Sequence, residues 1–152
     1  MRRFLVLFVI AAAVAVLLVV PAAGAEGAVV SRGELHAFAA GTGLDIGGHA
    51  QMVRTASGRT YVTVHADGLL PDTTYPSHVH AQPCGQADAD GHYKRDPAGP
   101  ATPPNEIWQG FTTDADGVGN GRAVADYTAG ATAVSVVIHA PGGAKIACAD
   151  LR

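Results

Sequence analysis

Past residue 25, the apolar positions of this 152-residue chain recur mostly at every second residue. Tyr61-Val62-Thr63-Val64-His65 alternates in this way, and Val134-Ser135-Val136-Val137-Ile138 is a nearly unbroken β-branched run. Both suit a pleated strand, where branched side chains pack well and successive residues face opposite sides. The pattern predicts strands over residues 33–39, 50–55, 60–66, 75–81, 106–113, 121–126 and 133–139, with a short one over 145–149. Turn residues punctuate these runs: Ala56-Ser57-Gly58, Leu70-Pro71-Asp72, Asp114-Ala115-Asp116-Gly117 and Pro141-Gly142-Gly143. No apolar stripe of helical period occurs in this part of the chain. Short strands at such spacing predict an all-β fold, an antiparallel sandwich or barrel. One stretch, 83–104, is too long for a simple connection and reads as a functional loop.

The first 25 residues follow a different pattern. Arg2-Arg3 precede an apolar run over residues 4–20, then Pro21 and the small residues Ala23-Gly24-Ala25. A basic start, an apolar run and a small-x-small site are the marks of a signal peptide. The alternative is an uncleaved anchor, since the run approaches the shortest membrane spans. Cleavage would leave one domain, 26–152, with no membrane span, secreted or held at the cell envelope. That domain carries eight basic and thirteen acidic residues, which argues against nucleic acid or an anionic membrane as partner. Its cysteines, Cys84 and Cys148, form an even pair in an oxidising compartment, most simply a disulfide. Closing a loop of roughly 60 residues would contribute about 4 kcal/mol on a chain-entropy basis.

The candidate chemistry lies in Ser77-His78-Val79-His80. On a strand, His78 and His80 share a face while Val79 takes the other. Neutral imidazole is a common ligand for copper, zinc and nickel. An isolated His-x-His pair is more often structural, but His92 and His139 could complete a shell. His36, His49 and His65 match no ligand position and read as surface or edge residues, with packing the reading for His65. Trp108 and Phe111 read as core.

In chain order, His78-Val79-His80, Cys84, Gly91-His92-Tyr93, Asp114-Ala115-Asp116-Gly117, Val137-Ile138-His139-Ala140 and Ile146-Ala147-Cys148 resemble the copper-zinc superoxide dismutases. The likeness runs from Leu35 to the end of the chain. It implies a Greek-key β-sandwich or flattened barrel and one copper per chain, with His78, His80, His92 and His139 as ligands. It also implies a Cys84–Cys148 disulfide stapling the metal loop, and superoxide as substrate. His92 matches the histidine that bridges the two metals, a ligand that would also hand on a proton. Lys145 stands where the family has an arginine beside the copper. It keeps the charge but loses the planar fork.

Two features depart from the family pattern. Between His92 and Gly117 there is no second histidine, so the zinc site is expected to be absent. Asp96, Glu106, Asp114 and Asp116 offer only scattered oxygens, a poor zinc set. The charged guiding loop is missing too, because only Pro141-Gly142-Gly143-Ala144 separates Ala140 from Lys145. Both departures resemble the zinc-less, copper-only branch of the family. There a carboxylate can hold the bridging histidine; Glu106 is the candidate, with Asp96 behind it. A storage or delivery protein of the same fold, binding copper without turnover, is the alternative. Oligomeric state is not legible in the sequence.

Overall fold

A computed structural model describes residues 27–152. The expected signal peptide, residues 1–25, lies outside them. Two four-stranded antiparallel sheets make up most of this part of the chain. The first has the order β1 (Val29–Glu34), β3 (Gly47–Arg54), β4 (Thr60–Asp67) and β8 (Gly119–Ala125). The second has the order β2 (His36–Ala37), β10 (Lys145–Asp150), β9 (Ser135–His139) and β6 (Ser77–His80). A third, two-stranded antiparallel sheet pairs β5 (Thr74–Tyr75) with β7 (Phe111–Thr112). Strands far apart in sequence lie side by side, β4 with β8 and β6 with β9, as Greek-key connections require. No helix among the described residues is long and apolar enough to cross a membrane.

Side-chain alternation builds the core. Thr60, Val62, Val64 and Ala66 of β4 are buried, as are Ala50 and Met52 of β3. They meet Val79, Val136, Ile138, Ala147 and Ala149 from the second sheet. β9 is buried on both faces, which explains its lack of polar alternation. Its outward-facing Val137 lies in a small second cluster with Cys84, Ala89 and Cys148. The 83–104 loop therefore lies over the second sheet, and the Cys84–Cys148 disulfide fastens it there.

Three expected strands are reshaped, each for a local reason. The segment expected at 33–39 begins earlier, at Val29, and breaks at Leu35, which turns its side chain into the core. The chain crosses there from the first sheet to the second. The segment expected at 75–81 divides at Pro76, which has no N–H to give a ladder. The segment expected at 106–113 is strand only at Phe111–Thr112. Its first half follows β6 through Val79 N–H to Ile107 O and Gln109 N–H to Ser77 O. In that half Ile107 and Gln109 turn inward, so Trp108 faces out and is 41% exposed. Trp108 is thus not a core residue; Phe111 is.

Candidate metal centre

Four histidines converge at one end of the second sheet. His78 and His80 project from the same side of β6, while Val79 enters the core. His139 ends the adjacent strand β9, anchored by its N–H to Pro76 O. His92 comes from the loop and is held beside His80 by Ala81 N–H to Gly91 O and Tyr93 N–H to Val79 O. A ligand nitrogen from each of the four lies within 4.8 Å of the others. The six ring-to-ring distances run from 4.2 to 6.5 Å.

Hydrogen bonds fix which nitrogen is free in three of the four rings. His80 Nδ1–H donates to Ala89 O (3.2 Å) and His139 Nδ1–H to Gly143 O (3.1 Å). A carbonyl oxygen can only accept, so both Nδ1 atoms carry the proton and both Nε2 atoms are bare. Those two Nε2 atoms face each other at 3.4 Å. Two lone pairs at that separation repel unless a cation lies between them. Burial, then the neighbouring histidines, pushes His78 down to about 3, despite the opposing pull of Glu106. Burial also leads in bringing His80 down to about 3, outweighing its bond to Ala89, and it lowers His139. Protons are therefore unfavourable occupants of this cluster at neutral pH, and a metal ion fits it. His78 Nδ1 is buried with no hydrogen-bond partner, which leaves it available to an ion.

His92 and Glu106 are in direct contact. His92 Nδ1–H donates to Glu106 Oε2 at 2.8 Å, and the accepting carboxylate is itself buried. The same oxygen accepts Trp108 Nε1–H at 2.7 Å. The indole also packs on His78, with ring centres 5.1 Å apart. Trp108 thus touches two members of the site, a role the sequence reading missed. The signal was available: Trp108 follows Glu106 by two, the spacing that keeps both on one face of an extended segment. Asp96 is elsewhere, accepting Ala98 N–H within its own loop.

Lys145 Nζ–H donates to Asp88 O (2.8 Å) and Asp90 O (2.7 Å). The carbonyl between them, Ala89 O, is the one that holds His80. These carbonyls belong to a left-handed turn in which Ala87, Asp88, Ala89 and Asp90 all have φ between 44° and 63°. No glycine marks that turn. Lys145 lies close enough for its charge to depress His80 and His139.

No family model and no curated protein matches the sequence. Among solved structures, superoxide dismutase 5 of Candida albicans matches in two glutamate variants. In the alanine variant the TM-score is 0.53 at 18% identity, covering 80% of this chain and 87% of the other. In the glutamine variant it is 0.55 at 18%, covering 82% and 91%. The chain has the superoxide dismutase fold. The antiparallel all-β architecture and disulfide-stapled loop expected from the residues are both present. A second set, His36, Cys84 and Asp150, also groups its ligand atoms, but there the cysteine sulfur is committed to the disulfide.

Proposed function

We propose that this protein is an exported copper-dependent superoxide dismutase that works without zinc. The observation that carries the metal assignment is the pair of bare Nε2 atoms on His80 and His139, aimed at each other across 3.4 Å. His78, His80, His92 and His139 would hold the ion, and an all-imidazole set suits copper in both common oxidation states. Bound copper would supply a one-electron couple, so that one superoxide is oxidised to oxygen and a second, taking up two protons, is reduced to hydrogen peroxide.

The remaining chemistry belongs to the side chains. His92 presents Nε2 to the ion while Glu106 keeps the proton on Nδ1. When His92 is not bound to the metal, its Nε2 can carry a proton to the product. Glu106 replaces a second metal as the group behind His92, the usual partner of a ligating imidazole. Trp108 restrains that carboxylate from its open side. Lys145 places a positive charge beside the cluster, which draws a small anion toward an otherwise acidic domain. The absence of a second histidine between His92 and Gly117 and the occupied Nδ1 both support a site without zinc. Export is supported by the leader-like residues 1–25 and by the disulfide.

A non-catalytic copper carrier is the second reading. It is favoured by the commitment of the Lys145 ammonium to two loop carbonyls, which leaves less of it to guide a substrate. One experiment separates the two readings. The oxidised 26–152 domain is loaded with copper and zinc, its metal content is measured, and superoxide decay is followed. Catalysis above that of free copper, lost in His80→Ala, supports the dismutase. Tight copper without turnover supports the carrier, and one tightly held zinc that His92→Ala removes overturns the zinc-less assignment.

A further inference from the structure

The outward face of the first sheet carries a histidine pair that the proposed reaction does not use. His49 on β3 and His65 on β4 are directly opposite in register. The row extends to Glu34 on β1, opposite His49, and to Asn120 on β8, opposite His65. Cross-strand partners share a face and lie within side-chain reach. The two rings are 5.6 Å apart, centre to centre. That lies inside the range within the four-histidine cluster, where His80 and His139 are separated by 5.5 Å.

Orientation strengthens the comparison. His65 Nδ1 is 2.9 Å from Asn120 Oδ1. With the amide oxygen as acceptor, Nδ1 carries the proton and Nε2 is left bare, the arrangement that His80, His92 and His139 each show. Arg122 faces the same side, but its guanidinium lies 5.8 Å from the Tyr61 ring centre, one strand step further from His65. Arg122 lines the same pocket as both rings, Arg32 stands on the same face opposite Gln51, and Glu34 ends the row.

We propose that His49 and His65 form a second metal site, open to solvent, for a borderline divalent ion such as Zn(II), Ni(II) or Cu(II), with Asn120 fixing His65. Two imidazoles leave water to complete the shell. Such a site captures an ion reversibly and is unsuited to structural closure.

The test uses copper-loaded, disulfide-intact protein titrated with Zn(II), followed by calorimetry and by the ring nitrogen shifts of His49 and His65. One equivalent of zinc is expected to bind and to shift both Nε2 signals. His49→Ala or His65→Ala should abolish that uptake, whereas His36→Ala, another exposed histidine, should leave it unchanged. Asn120→Ala should weaken it about tenfold, as expected when a ligand's orienting partner is removed. Zinc uptake that survives His65→Ala, or wild-type binding no tighter than that of His65→Ala, overturns the site. His80→Ala should remove copper yet spare this zinc, so failure of the copper assignment and failure of this site are separately visible.

Discussion

Acidification should destabilise the metal-free protein through His80 and His78. Both have folded-state values of about 3, against 6.5 for an unperturbed imidazole. Because the folded values are depressed, the unfolded chain takes up protons first. Stability is intact above about pH 6.5 and is lost progressively as pH falls from there toward about 3. Between pH 7 and pH 5, each unfolded imidazole becomes almost fully protonated while the folded ring stays neutral. At about 1.4 kcal/mol per pH unit, that costs about 2 kcal/mol for buried His80. His78 is partly exposed, so screening reduces its share to about 1 kcal/mol. His139 shifts in the same direction and adds to the loss. Urea unfolding of the metal-free, oxidised chain at the two pH values should therefore differ by about 3 kcal/mol. In His80→Gln the difference should shrink by about 2 kcal/mol, whatever that variant's stability at pH 7. A wild-type difference below about 1 kcal/mol, or one that His80→Gln leaves unchanged, would refute the claim that the folded cluster excludes protons.

Trp108 is the only tryptophan in the chain, so copper binding beside His78 should quench the intrinsic fluorescence. Glu106→Gln and Trp108→Phe should each broaden the His92 Nδ1–H resonance in metal-free protein and lower turnover in copper-loaded protein, with Trp108→Phe the milder. Cys148→Ser should cost about 4 kcal/mol in urea unfolding, because the bridge closes a long loop. Lys145→Ala should release the Ala87 to Asp90 turn and weaken copper binding, measured by competition with a chelator. Lys145→Arg should restore most of that affinity. Ala87→Gly should stabilise the fold by roughly 0.5–1 kcal/mol, since glycine tolerates the positive φ there, with thermal unfolding as the measure.

The architecture was legible because burial on these sheets follows the pleat. β4 alternates in sequence as it does in space, and the unbroken apolar run of β9 is buried on both faces. Where the sequence misleads, a tertiary choice intervenes at a residue of neutral propensity. Nothing in Gly33-Glu34-Leu35-His36 marks the crossing between sheets; it follows from Gly48 O accepting Leu35 N–H and from the vacancy Leu35 fills in the core. Trp108 reads as core in the sequence, yet its neighbours Ile107 and Gln109 fill the inner face. The four histidines could be grouped through the resemblance, and the two-residue spacing of Glu106 and Trp108 was there to be read, but the left-handed turn lay outside any spacing rule. Alanine at positive φ carries no sequence signal, since its intrinsic preference opposes the conformation it adopts.

That turn links the stability of the fold to its chemistry. Four successive non-glycine residues in the left-handed region cost about 1–2 kcal/mol each. Such a segment persists only where its surroundings over-determine it. Here the surroundings are the disulfide at Cys84, the buried Ala89 side chain and the Lys145 ammonium on two carbonyls. The conformation also brings Ala89 O to His80, which fixes the imidazole tautomer and leaves Nε2 facing His139. A relaxed turn of the same length would free the ring to flip and would let the two lone pairs part. The cysteine pair and Lys145 therefore do more than tether a loop. They hold in place the one backbone oxygen that keeps His80 ready to bind metal.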